Sequence, residues 1–208
     1  DVDDDMLFVM ANNDNICKSI HLPLQAGSDR ILKRMNRTYT QDRYLALVER
    51  IRQILPGCGL STDIIVGFPG ESQDDFEQTL RVMDTVRFDS AFTFKYSPRP
   101  GTKAAQYTDQ IDENEKQARL KEVVSLQKYH TLFENRKEIG KTLKVLVEKE
   151  SKLSSREWAG RTDTNKWVIF PRGRVSVKEL VEVRIMDAQG VSLLGTLAKD
   201  REPAVAVS

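Results

Sequence analysis

The sequence predicts an α/β fold in two parts, a partial (β/α) barrel with parallel strands followed by a small antiparallel β-barrel. Three observations predict it. Up to residue 140, short β-branched runs alternate with segments of helical period, as in a parallel sheet joined by crossover helices. From Lys141 the apolar period drops to about two, and five short strand candidates follow one another. The charge changes at the same place. Residues 1–140 hold 19 Lys/Arg against 22 Asp/Glu, and residues 141–202 hold 13 against 9, a balance of +4. A small basic module behind a mildly acidic one suggests an anionic partner for the second part. The expected divisions are 1–140, 141–202 and a frayed tail at 203–208.

The first strand candidate is Ser19 to Leu24, followed by a short helix from Ser28 to Met35. Thr40 to Leu55 carries Tyr44, Val48, Ile51 and Leu55 on one helical face, and Pro56-Gly57 stops it. Leu60 to Val66 is a buried strand, and Gly67-Phe68-Pro69-Gly70 turns the chain. Ser72 with Asp75 forms a capping-box pattern opening a helix that turns Phe76, Leu80 and Met83 inward. Ser90 to Tyr96 is the third strand, and Asp112 to Ile139 one long helix ended by Gly140. Three strands are too few to close a (β/α) barrel, so the sheet is expected to be completed by sequence upstream of Asp1. The acidic start, Asp1-Val2-Asp3-Asp4-Asp5, is the opposite of a signal peptide and reads as a chain cut from something longer. The later strands are Leu143-Val145-Val147, Trp158 to Arg161, Trp167 to Phe170, Leu180 to Ile185 and Val191 to Leu197.

No apolar run approaches the roughly 18–20 residues a membrane helix needs. The two cysteines, Cys17 and Cys58, lie far apart and outside any CxxC or CxxxCxxC spacing, so they indicate neither a disulfide framework nor a metal site. That usage fits a cytoplasmic location.

Ligands of parallel α/β sheets collect at the C-terminal strand ends, and three polar clusters fall there. In His21-Leu22-Pro23-Leu24-Gln25-Ala26-Gly27-Ser28, Gln25 offers both donor and acceptor to a ligand, or equally caps the next helix. His21 is expected as a hydrogen-bonded core histidine. Asp63 interrupts an apolar strand, so it must pair with a ligand, a cation or backbone donors. Tyr96, Ser97 and Arg99 form a cationic, aromatic loop suited to a nucleobase or phosphate, or an exposed basic loop with no ligand. In the second part, Arg161, Lys166, Arg172 and Arg174 mix with Trp158, Trp167 and Phe170. Single-stranded nucleic acid is held by that combination, although at least one tryptophan is expected in the barrel core.

Taken in order, the segments from His21 to Arg37, Thr62 to Glu71 and Tyr96 to Thr102 resemble the radical S-adenosylmethionine tRNA methylthiotransferases. Residues from Gly140 through Gly160-Arg161-Thr162 resemble the family's TRAM domain, an RNA-binding β-barrel. The resemblance implies a half-barrel enzyme with S-adenosylmethionine and two [4Fe–4S] clusters. In such enzymes one cluster cleaves S-adenosylmethionine, the resulting radical takes hydrogen from C2 of an adenine, and the second cluster delivers a methylthio group. Cluster ligation needs Cys thiolates, and the family's CxxxCxxC motif does not occur here, so this chain by itself is expected to be catalytically inactive. The resemblance places Gln25, Asp63, Tyr96 and Arg99 against S-adenosylmethionine and substrate. It implies a tRNA anticodon stem-loop as partner, with RNA contacts from Arg161, Lys166, Trp167, Arg172 and Arg174. A monomer is expected, without membrane attachment. The branch acting on N6-isopentenyladenosine is favoured over branches acting on threonylcarbamoyladenosine or a ribosomal-protein aspartate. A non-catalytic RNA-binding protein is the reading from another class.

Overall fold

The computed structural model describes residues 2–152 and 154–198, and the tail assigned to 203–208 lies outside the described residues. The chain divides into two compact units, Asp1–Thr131 and Leu132–Ser208. The division falls within a long helix, α5 (Glu113–Arg136).

The first unit opens on a helix that the sequence reading missed, α1 (Asp4–Asn12). Asp3 caps it, its carboxylate accepting from the Met6 amide at 2.9 Å. Asp4 and Asp5 occupy the first turn, where negative charge suits the helix dipole. The acidic run is therefore a helix start.

Strands β1 (Ser19–His21), β2 (Gly59–Val66) and β3 (Ser90–Lys95) form a parallel sheet in the order β1-β2-β3. Helices α2 (Asp29–Arg34) and α3 (Gln41–Ile54) cross from β1 to β2, and α4 (Gln73–Val86) crosses from β2 to β3. The expected strand end at Leu24 moves back to His21. Pro23 has no amide hydrogen to give the ladder, and the chain rejoins β2 only through an isolated bridge between Gln25 and Ile64. Ile20, Leu60, Ile64 and Val66 bury one face of the sheet against Tyr44, Val48 and Ile51 of α3 and Phe76, Val82 and Met83 of α4.

The Ser72–Asp75 capping box is present with both of its hydrogen bonds. Asp75 reaches further, accepting from Ser28 Oγ at 2.5 Å and pairing with Arg30, so it ties the loop after β1 to the start of α4. Gly27 allows that approach. A Cβ there would lie 2.5 Å from the Thr79 Cα and 2.6 Å from the Gln78 carbonyl oxygen, both helix backbone. Gly27→Ala should destabilise the chain by about 2 kcal/mol through overpacking. A urea midpoint unchanged from the parent would show that α4 yields freely.

In the second unit, β4 (Thr142–Glu150), β5 (Glu157–Arg161), β6 (Trp167–Pro171), β7 (Leu180–Gln189) and β8 (Ser192–Leu197) close into a barrel in the order β4-β5-β6-β8-β7. The barrel is mixed, because β6 and β8 run parallel while the other pairs are antiparallel. Five strands in a closed ring cannot alternate direction all the way round, so one parallel pair is unavoidable. Val145, Val147, Val168, Phe170, Val183, Ile185 and Leu193 fill the interior. Among the described residues, no helix is long and apolar enough to cross a membrane.

Candidate functional site

Among the described residues, the helices bury one face of the three-stranded sheet and leave the other more open. Along β2, buried Thr62, Ile64 and Val66 alternate with half-buried Ser61, Asp63 and Ile65, and on β3 Phe92 and Phe94 stand exposed. Register places Phe92 beside Asp63 and Phe94 beside Ile65. The open face is thus a polar strand flanked by two aromatic rings.

Asp63 finds its partner on the neighbouring strand. His21 Nε2 lies 3.4 Å from Asp63 Oδ2, while its Nδ1 meets Ser61 Oγ at 3.0 Å. The His21 ring also packs edge-on against Phe92 at 5.9 Å. The expectation of a core histidine is corrected: the His21 side chain is 43% exposed. Register partner Ser61 sits on the uncovered face, and His21 shares that face.

Gln25 is buried and adopts a left-handed backbone, φ +67°. Its amide donates to the Asp63 carbonyl and its carbonyl accepts from the Ile65 amide, both at 2.8 Å. A non-glycine residue in this conformation is held there by its surroundings. Helix α2 is capped at Ser28 without a side-chain hydrogen bond, so Gln25 is not its cap.

Tyr96 belongs to an apolar cluster at the strand ends with Ala26, Ile31, Leu32 and Phe68. Its ring meets Phe68 edge-on at 5.0 Å, and Lys116 Nζ lies 5.7 Å from its centroid. The Tyr96 hydroxyl is buried without a hydrogen-bond partner among the described residues. A buried hydroxyl left so is costly unless a polar group from elsewhere meets it. Arg99 stands exposed on the following loop, its carbonyl accepting from Thr102 Oγ1 at 2.8 Å. The structure joins Gln25 to Asp63 by backbone hydrogen bonds and gathers Tyr96 with Ala26, while the Arg99 side chain stands apart from them.

Three further residues shape this end of the sheet. Glu71 Oε2 accepts from the Gly67 amide at 2.6 Å and from Arg119 Nη1 at 2.7 Å. Arg119 also donates to the Glu71 carbonyl at 2.9 Å and pairs with Glu115. Burial pushes the Glu71 carboxyl above its ordinary pKa, with the Gly67 amide and Arg119 opposing. The stem of Lys116 packs against Gly67, where a Cβ would approach it to 2.3 Å. Arg119 and Glu71 are 48 residues apart, and only the acidic end of the Gly67–Glu71 turn hinted at the pairing in the sequence.

In the barrel unit the predicted basic residues separate by environment. Trp167 faces outward, with the Arg161 guanidinium 4.6 Å and Lys149 Nζ 4.5 Å from its ring centroid. Arg161 also meets Asn165 at 2.7 Å and Glu148 at 3.1 Å. Trp158 packs against the core and donates from Nε1 to the Val175 carbonyl at 2.9 Å. Arg172 covers that ring at 4.1 Å and pairs with Glu150. Lys166 Nζ reaches Asn135 Oδ1 at 3.3 Å, and Arg174 is exposed. Of the three aromatics, Phe170 is the one wholly inside, so the tryptophan expected in the core is Trp158 only in part.

Cys17 is exposed, Cys58 is buried, and the two form no disulfide. Among the described residues no group of three His, Cys, Asp or Glu could hold a metal ion.

Residues 1–83 match the Radical SAM superfamily and residues 136–198 match the TRAM domain. A protein of Carboxydothermus hydrogenoformans named tRNA-2-methylthio-N(6)-dimethylallyladenosine synthase is 48% identical over 197 residues, 95% of this chain and 45% of the relative. Proteins of the same name from Parabacteroides distasonis and Desulfitobacterium hafniense are 47% and 45% identical, over 94% and 97% of this chain and 43% and 45% of their own lengths. The chain spans less than half the length of these curated relatives.

Proposed function

We propose that this chain, in which a radical SAM segment is joined to a TRAM domain, belongs to the radical SAM tRNA methylthiotransferases it is similar to and serves the methylthiolation of C2 of N6-isopentenyladenosine beside the anticodon of tRNA. The observation that carries this reading is the uncovered sheet face, whose adjoining strand ends hold a buried Tyr96 hydroxyl without a partner among the described residues. S-adenosylmethionine fits there by chemistry. Asp63, anchored on His21, has lone pairs left for hydroxyl or amino donors. Phe92 and Phe94 offer rings for a flat base, and Gln25 and Tyr96 add polar contacts at the strand ends. Arg99 supplies a cation from the loop. When bound beside a cluster, S-adenosylmethionine supplies one-electron chemistry at an otherwise unreactive carbon. The two [4Fe–4S] clusters of the reading belong to the part of the polypeptide that the relatives have and this chain does not span.

The barrel unit is the RNA-holding part, through Arg161, Lys166, Trp167, Arg172 and Arg174, and its substrate is the anticodon stem-loop. The whole protein acts as a cytoplasmic monomer on this reading. Nucleoside mass spectrometry of tRNA from a strain lacking the gene tests it. The methylthio mark should vanish from isopentenyladenosine and stay on threonylcarbamoyladenosine. Its persistence on isopentenyladenosine would end the assignment, and loss from the other nucleoside would move it to that branch.

A further inference from the structure

We propose that the outward face of β4, β5 and β6 is the surface that meets RNA, and that Lys149 is its main phosphate contact. The proposal rests on the RNA-holding reading above and deepens it by choosing the face. Register supplies the first argument. Leu180 pairs with Leu146, Leu146 with Arg161, and Arg161 with Trp167, so four strands present one continuous row. Directly opposed residues point to the same side of a sheet. Leu146 and Leu180 are exposed, so the row faces solvent, and it runs from two apolar side chains to a cation and an indole.

The second argument is the availability of charge. Arg172 is paired with Glu150 over the half-buried Trp158, and Lys166 reaches Asn135, so both already have partners within the unit before RNA arrives. Arg161 is partly occupied by Glu148 and Asn165. Lys149 is on the same barrel wall, has its ammonium over the Trp167 ring, and has no carboxylate within ion-pair distance among the described residues. Its three N–H donors remain for an anion. The register shift between Val147 and Lys149 sets its position opposite Ala159, further along β4 from Leu146 of the row and two positions along β5 from Arg161. A β-bulge re-aims side chains in this way. With two cations already against its ring, Trp167 holds charge for a phosphodiester backbone more than it offers a bare platform for a base.

The test uses the whole 208-residue chain and a fluorescent RNA hairpin of anticodon stem-loop size, with anisotropy titrations across a range of KCl concentrations. Lys149→Gln keeps the stem and removes the charge. It should weaken binding about fivefold at low salt and lower the slope of log K against log salt by about one. Lys141→Gln should stay within about twofold of the parent, since its ammonium lies outside β4, β5 and β6 and is already paired with Glu138. Near-ultraviolet circular dichroism checks that each variant keeps its indole packing. A Lys149→Gln variant that binds like the parent, with Lys141→Gln carrying the salt effect, would overturn the choice of face and leave the RNA reading standing. If the parent binds no RNA at any salt, the RNA reading falls and this inference with it.

Discussion

Replacing Arg119 with methionine should destabilise the first unit by about 3–5 kcal/mol at neutral pH, the usual penalty for removing one member of a buried ion pair. The Glu71 and Arg119 side chains are 1% and 5% exposed, so water cannot take over for the lost partner. The variant leaves a carboxylate held only by the Gly67 amide. Burial already raises the Glu71 pKa against the pull of that amide and of Arg119, and without Arg119 it must rise further. A carboxyl whose folded pKa is raised opposes folding when ionised. The deficit should therefore be largest at pH 7 and shrink as pH falls toward about 4, where the unfolded group also binds its proton. Urea unfolding at both pH values checks this. An equal deficit at the two, or one below about 1 kcal/mol at pH 7, would show that the pair is not what holds α5 to the loop after β2.

Asp75→Ala should lower stability by about 3 kcal/mol, combining a lost helix cap with lost charged hydrogen bonds. The carboxylate accepts from the Ser72 amide at 2.8 Å and from Ser72 Oγ and Ser28 Oγ at 2.5 Å each, and it pairs with Arg30. Burial works against its ionisation, but hydrogen bonds from Arg30, Ser28 and Ser72 outweigh that and hold its pKa well below the ordinary range. A depressed pKa contributes stability that is complete above the unfolded value of about 4 and is lost as pH falls toward the folded one. The parent should thus lose stability below pH ~4 more steeply than Asp75→Asn, which has no such charge to neutralise. Parallel acid-unfolding slopes for the two would refute the account. Because Ser28 and Arg30 follow the loop that holds Gln25, the Ala variant should also loosen that loop, seen as faster amide exchange at Gly27.

Much of this was legible in the sequence where the determinants are local. Ser72 and Asp75 stand three apart, and a capping box needs nothing more. The strands of the barrel announced themselves by alternation. Asp63 was correctly read as needing a partner, yet His21 could not be named, since the pairing depends on the register between β1 and β2. The same holds for Glu71 and Arg119, joined across 48 residues. Trp158 and Trp167 read alike as letters, and strand parity turns one inward and the other outward. Lys149 escaped notice because its place depends on an irregularity in β4 that no residue pattern marks. Helix α1 was missed because an acidic run looks like a solvated end until Asp3 is seen as its cap.

The pairing of β4 with β7 bears on synthesis. Thr142 takes Arg184 as its partner, so the first strand of the ring must wait on the ribosome until the fourth has emerged. A nascent chain that stops short of Leu180 can make the β5–β6 hairpin but leaves one side of β4 with unmet amides and carbonyls, an edge open to other strands.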